Sequence, residues 1–298
     1  MAKVLVIINI TAGGGRAVRV GGPYLEGIRP ALGELSVVHT EGPGHATELA
    51  RSAVADGLSS VIALGGDGTV FEVINGLLDD PDAPARPTLG VIPVGTGNSF
   101  VRDLGLAQPE AACAAISRGG ARAVDAVRLE HRDGVLHYVN LLSLGFAAQA
   151  GDLTNQRFKP LGAAGYVLAV LQSLITLEAH RFPHRVDGGA LEDRPVSLLS
   201  FCNSRYTGGQ MLMAPDADIA DGRVDRVEIG AMGRRRFLTS FPRIFQGTHP
   251  RMPEVRTSQV QRVVFEGAEE ISVMVDGEIL HLVPRALSVC PGALEVYA

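Results

Sequence analysis

Four short apolar runs, each followed by a helical pattern or by glycines, recur within the first 95 residues. VLVIIN (4–9), SVVHT (36–40), SVIALGG (60–66) and TLGVIPVG (88–95) have the length and the Val/Ile content of buried strands. HATELARSAVADG (45–57) and TVFEVINGLLD (69–79) carry apolar residues at helical spacing, a helical stretch starts at Asn98, and AACAAISRGG (111–120) is a further helix. Strands alternating with helices predict parallel βαβ units and a layered α/β domain over residues 1–125. The pattern then changes. AVRLEHRDGVLHYVNLLSLGF (126–146) reads as two strands joined by a turn at Arg132-Asp133-Gly134. PVSLLSFCNS, GRVDRVEIGAM, VQRVVFEGA, ISVMVDGEIL and ALSVCPGALEVYA follow as antiparallel strands, interrupted by a helix over 162–178 and a shorter one near 233–246. Residues 126–298 are therefore expected to form a mainly β domain, with the last strand as a candidate to return to the first domain.

The sharpest chemical signal is Gly65-Gly66-Asp67-Gly68-Thr69, at a strand-to-helix junction. Glycines let a backbone approach a ligand closely, and the following helix points free N–H groups at the same spot, which suits a phosphate. The bland alternative is a tight turn whose Asp67 caps the helix. Pro93-Val94-Gly95-Thr96-Gly97-Asn98-Ser99 is a second such junction. In an α/β sheet both turns fall on the edge where ligands bind. Neither matches the P-loop or dinucleotide fingerprints. Val275-Asp276-Gly277-Glu278 sets two carboxylates astride a glycine. They suit a general base and a ribose or metal contact, or else form an ordinary β-turn. Asp216, Asp218, Asp221 and Gly222 resemble an oxygen-ligand site for a hard cation, or else a polar surface loop.

A net charge of −5 and a pI near 5.9 leave no basic stripe for nucleic acid. Cys113, Cys202 and Cys290 form no CxxC pair, so the cysteines are expected to be reduced, as in the cytoplasm. The N-terminal MAKVLVIIN reads as a strand and not as a signal peptide. Leu161–Leu177, interrupted by Gln172, Ser173 and Thr176, is short for a membrane span, so membrane contact is expected to be peripheral, at the inner surface. Arg234-Arg235-Arg236 beside Phe237 and Leu238 fits either an anionic lipid surface or a solvated helix start.

Taken together, these segments resemble the bacterial diacylglycerol kinase-like family, which includes the sphingosine kinases, over nearly the whole chain. GGDGT at 65–69 with Glu72 and Asn75-Gly76 is similar to the family's most specific motif. PVGTGNSFVRDLG at 93–105 resembles its second, with Ser99 in place of an acidic residue. Asn9–Gly13 resembles NPxSG, with Ile10 where proline is usual and Gly14 where lysine is frequent; Arg16 is the candidate replacement. Thr40-Glu41 with Gly44-His45-Ala46, and VDGE at 275–278, complete the set. The resemblance implies an NAD kinase/phosphofructokinase-like α/β domain with a parallel sheet, followed by a mainly antiparallel β-sandwich. It implies ATP and Mg2+ as cofactors and a membrane lipid as acceptor. Asn9, Thr40, Gly66, Asp67, Gly68, Thr69, Gly95, Thr96, Asn98 and Glu278 would contact the nucleotide. Asp276 would be the base and Asp67 would organise the catalytic magnesium. Asp152, Lys159 and Asp125 would serve the substrate side, and Asp218 and Asp221 a structural magnesium. The acceptor stays open among diacylglycerol, a sphingoid base, phosphatidylglycerol and an undecaprenol-type alcohol, and a homodimer is the oligomeric state held open. An NAD kinase-like enzyme acting on a soluble substrate and a non-catalytic lipid- or nucleotide-binding protein are the alternatives.

Overall fold

The computed structural model describes residues 4–146, 148–149 and 178–298. Asp152, Lys159 and all but the last residue of the helix expected over 162–178 lie outside the described residues. The chain divides into two compact units, Met1–Ala126 with Pro291–Ala298, and Val127–Cys290.

In the first unit, β1 (Val4–Ile8), β2 (Leu35–His39), β3 (Ser60–Gly65) and β4 (Thr88–Pro93) pair in parallel in the order β4-β3-β1-β2. The helices are α1 (Arg16–Leu32), α2 (His45–Ala55), α3 (Asp67–Leu77), α4 (Ser99–Asp103) and α5 (Pro109–Arg118). Every residue of β1 and β3 is buried, which explains their unbroken apolar sequence: a parallel strand covered on both faces has no solvent side. In the edge strand β2 only Leu35 is buried. From β1 the chain steps out to β2 and then returns to the other side of β1 to lay down β3. The carboxyl ends of β1 and β3 therefore flank a switch point, where open α/β sheets leave a crevice. At the end of the chain, Val296 pairs in parallel with Leu89 of β4, and Tyr297 Oη meets Ser60 Oγ at 2.7 Å in the core.

Helix α1 has no clear sequence signal, because Gly21, Gly22, Gly27, Pro23 and Pro30 all disfavour helix. Packing decides it. Ala17, Gly21, Leu25 and Ile28, three to four residues apart, form its buried stripe, and a Cβ at Gly21 would stand 3.4 Å from Leu64.

The second unit is built of antiparallel strands. Residues 126–146, expected as two strands, contain parts of three: β5 (Ala121–His131), β6 (Gly134–Tyr138) and β7 (Leu141–Gly145). The β5–β6 hairpin turns at Arg132-Asp133 as expected, His131 facing Gly134. The further strands are β8 (His180–Arg181), β9 (His184–Val186), β10 (Leu191–Glu192), β11 (Pro195–Cys202), β12 (Tyr206–Thr207), β13 (Met211–Leu212), β14 (Val224–Gly230), β15 (Val255–Val260), β16 (Arg262–Phe265), β17 (Ile271–Val275), β18 (Glu278–Leu282) and β19 (Pro284–Tyr297). One sheet runs β15-β14-β11-β7-β17-β18 with β8 on β11, and β10-β9-β16-β19 belong to another. Phe201 of β11 packs edge-on against His184 of β9 and Phe265 of β16, at 6.1 and 5.9 Å between ring centres, joining the two layers as a sandwich does. The helix expected near 233–246 is α6 (Arg234–Ser240) followed by a 3-10 turn over Phe241–Gln246, where Pro242 removes a backbone donor.

Candidate active site

Three loops leave the carboxyl ends of β1, β3 and β4 and meet one another. Asn9 Nδ2 donates to Thr69 Oγ1 at 2.9 Å, while Asn9 Oδ1 accepts the N–H and hydroxyl of Thr11, at 3.0 and 2.8 Å. The N–H groups of Val94 and Gly95 donate to the Gly65 carbonyl. The glycines are needed for this close packing. A Cβ on Gly95 would stand 2.5 Å from Gly66 Cα, and one on Gly13, at φ +58°, would stand 2.4 Å from the Val94 carbonyl oxygen.

Asp67 is the first residue of α3, but it does not cap that helix. Its Oδ1 accepts the Ser99 N–H at 2.7 Å, so it holds the start of α4, on the second glycine-rich loop. Burial pushes its carboxyl up from the usual carboxylate value, against the pull of the Ser99, Phe100 and Asn98 N–H groups. Asn98 sits in the left-handed region at φ +52° and donates from Nδ2 to the Gly95 carbonyl. Its Oδ1 is buried without a partner, beside Gly66 and Gly95.

Glu72, one turn further along α3, does for α2 what Asp67 does for α4. Its two oxygens accept the N–H groups of Gly44 and Ala46 at 3.0 and 3.1 Å. Gly76 lets the helices touch, since a Cβ there would stand 2.3 Å from the Thr47 carbonyl oxygen. One helix thus anchors the loops that follow β2 and β4. Spacing along the sequence carries no sign of these roles, which link residues 26 to 32 positions apart. Thr40, buried at the end of β2, donates its N–H to the Ile8 carbonyl. Thr96 is exposed and Gly68 half-buried on the same loop set. Asp125 is buried, and its Oδ1 accepts the Gly292 N–H at 2.8 Å, tying the returning C-terminal strand to the first unit.

In the second unit Asp276 and Gly277, at φ +49° and +94°, make the two-residue turn between β17 and β18. The Asp276 side chain is 4% exposed. Its Oδ2 accepts the Val139 N–H at 2.9 Å, and its Oδ1 those of Asn140 and Leu141 at 2.8 and 3.0 Å. Glu278 is exposed. Asp218 and Asp221 are exposed, each accepting the N–H two residues on, and Asp221 Oδ2 also accepts from Gln259. Beside them Asp225 is pushed up to about 6, first by burial and then by the charges of Asp221 and Asp216. Among the described residues no three His, Cys, Asp or Glu side chains stand close enough to hold a metal ion.

The second unit also contains a small apolar cavity of about 60 Å³ that opens to solvent. Phe146, Leu198, Met211, Met213, Phe237, Ile244, Met252 and Met274 line most of it, with Thr207, Ser240 and His249 as polar members. Its lining, apolar with a few polar groups, is that of a small-molecule site. His249 Nε2 lies 3.0 Å from the Met213 carbonyl, and burial pushes its pKa down.

Comparison with known proteins agrees with this architecture. Residues 3–129 match the diacylglycerol kinase catalytic domain, and residues 140–298 match the YegS C-terminal NAD kinase beta sandwich-like domain. A diacylglycerol kinase of Mycobacterium tuberculosis (strain ATCC 25618 / H37Rv) is 31% identical over 99% of this chain and 95% of its own length. The chain belongs to the diacylglycerol kinase family. A diacylglycerol kinase of Bacillus subtilis (strain 168) is 29% identical over 95% of this chain and 92% of that relative. A crystal structure from Bacillus anthracis str. Sterne superposes with a TM-score of 0.80 at 27% identity, over 99% of this chain and 94% of the other. In this lipid kinase family the α/β unit and the β-sandwich unit are thus recurring parts. Among the described residues no helix is long and apolar enough to cross a membrane.

Proposed function

We propose that this lipid kinase transfers the γ-phosphoryl group of ATP, with Mg2+, to a hydroxyl of a membrane lipid such as diacylglycerol or a sphingoid-type alcohol. The observation that carries the reading is the convergence of three loops at the carboxyl edge of β1, β3 and β4, with α3 anchoring its neighbours. In this reading the first unit holds the nucleotide through Asn9, Thr40, Gly66, Asp67, Gly68, Thr69, Gly95, Thr96 and Asn98, with Glu278 as a further contact. Preset backbone N–H groups stabilise charge on phosphoryl oxygens without reorganising during the reaction. A phosphate oxygen, which only accepts hydrogen bonds, cannot satisfy Asn98 Oδ1, whereas a water on a cation can; this supports magnesium beside Asp67. The repulsion that Asp221 and Asp216 exert on Asp225 supports a second cation on this acidic loop, with Asp218 and Asp221 as its ligands.

The second unit takes the lipid, and its Met-rich cavity suits an acyl chain. As phosphoryl transfer proceeds, the lipid oxygen bonds the γ-phosphorus, its proton passes to Asp276 or to a water that Asp276 holds, and ADP leaves with the bridging oxygen. Asp125 acts on the substrate side through the strand it anchors, and Asp152 and Lys159 face the headgroup and the transferred phosphate. The enzyme works at the inner membrane surface from the cytoplasm, with a homodimer as its assembly.

The test is transfer of labelled phosphate from ATP to a panel of lipids in mixed micelles, with and without Mg2+, using Asp67→Asn as control. Labelled lipid that disappears in the variant and on chelation supports the reading. Labelling of soluble alcohols alone moves it to an NAD kinase-like enzyme. ATP binding without any transfer leaves a non-catalytic binder.

A further inference from the structure

Residues 231–253 contain five arginines and no acidic residue, in a chain whose net charge is −5. They include α6 and the 3-10 turn after it, a short amphipathic pair. Its inner face, Phe237, Ser240, Phe241 and Ile244, repeats every three to four residues and lines the apolar cavity. Its outer face carries Leu238, 47% exposed, and Phe245, 50% exposed, about two turns apart. Arg234 and Arg235 flank Leu238 and are exposed, and among the described residues no ion pair holds either. Arg236 is neutralised by Glu254, which Nε and Nη2 grip at 3.0 and 3.3 Å, and Arg243 lies in the same field.

Phe245 packs edge-on against Phe241 at 6.0 Å between ring centres, but the rest of its ring and Leu238 stand in water beside the guanidinium groups. A bilayer with anionic headgroups satisfies both: apolar side chains enter the acyl boundary while arginines meet phosphates. We propose that residues 234–246 form the membrane-docking element of this protein, with Leu238 and Phe245 inserted and Arg234, Arg235 and Arg243 on anionic lipid headgroups. Docking by this face sets the cavity wall, one helix thickness away, at the lipid boundary. The proposal rests on the lipid-substrate reading for its purpose, but binding is measurable without nucleotide or turnover, so either can fail alone.

The experiment is sedimentation of the full chain with vesicles of phosphatidylcholine alone, or of phosphatidylcholine with an equal share of phosphatidylglycerol, at low and high salt. Wild type should favour the anionic vesicles and lose that preference in high salt. Removing arginines, as Arg234→Gln with Arg235→Gln, should weaken binding about fivefold per arginine. Leu238→Ser with Phe245→Ser should weaken it about tenfold per side chain at both salt levels. Unchanged melting temperatures show that both variants fold; a variant that melts early is replaced by Leu238→Ala with Phe245→Ala. Equal vesicle binding by wild type and folded variants overturns the proposal, as does no binding by wild type. A lipid-free dimer that Leu238→Ser with Phe245→Ser dissolves would assign the face to a second copy and also overturn it.

Discussion

Replacing Asp276 with alanine should unfold part of the second unit before it tells anything about catalysis. The carboxylate accepts three buried N–H groups, from Val139, Asn140 and Leu141, which bind a strand start to a hairpin turn 135 to 137 residues away. Leaving a buried donor unsatisfied costs about 1–3 kcal/mol, so the three amount to about 3–6 kcal/mol after partial relaxation. Residue 276 also sits at φ +49°, where alanine costs about 1 kcal/mol more than aspartate or asparagine. The sum, about 4–7 kcal/mol, is a large part of the ~5–15 kcal/mol that holds a domain together. At about 2–4 °C per kcal/mol, the melting temperature of Asp276→Ala should fall by at least about 8 °C. Asp276→Asn should do better. Its oxygen can keep two of the N–H groups and it tolerates the positive φ, but its amide N–H2 faces the Val139 N–H, for a loss of about 1–3 kcal/mol. Scanning calorimetry with lipid phosphorylation in parallel separates the roles. If Asp276→Ala melts within about 2 °C of wild type while transfer is abolished, the cradle contributes no stability and the reasoning is refuted.

Gly95→Ala should part the two glycine-rich loops, because the added Cβ lies 2.5 Å from backbone and 3.0 Å from Asn98 Oδ1, and neither can give way cheaply. ATP binding by calorimetry should weaken at least about tenfold and stability should drop about 1–3 kcal/mol, whereas Gly42→Ala, with open space at its Cβ, should change neither. Asp225 should show the reverse of ordinary acid sensitivity. Its carboxyl is raised from 3.8 to about 6 on folding, so the folded state holds the proton more tightly, and the stability this gives below about pH 4 is lost as pH rises to about 6. Urea midpoints of wild type should carry that falling contribution, and Asp225→Asn should remove it. If a cation binds at Asp218 and Asp221, millimolar Mg2+ should raise the wild-type melting temperature above pH 6 and leave Asp221→Asn unchanged.

The alternation of buried strands and amphipathic helices, the glycine junctions at 65–68 and 95–97, and the change to a β-rich second half were all legible in the sequence. Each is local: strand period, helix period and turn chemistry are set by residues a few positions apart. The Asp-Gly turn at 276–277 was legible for the same reason. What those residues face was not. The sequence could offer Asp67 as a cap for its own helix, but folding turned it to the helix that begins at Ser99. Gly66 and Gly95 look like ligand-cradling glycines, yet their nearest constraint is each other. Helix α1 forms against its own propensities because the sheet covers one stripe of it. The cavity gathers side chains from Phe146 to Met274, which no short-range pattern links. Contacts between residues tens or more than a hundred positions apart depend on how elements pack, and close packing is decided by the shape of the whole core.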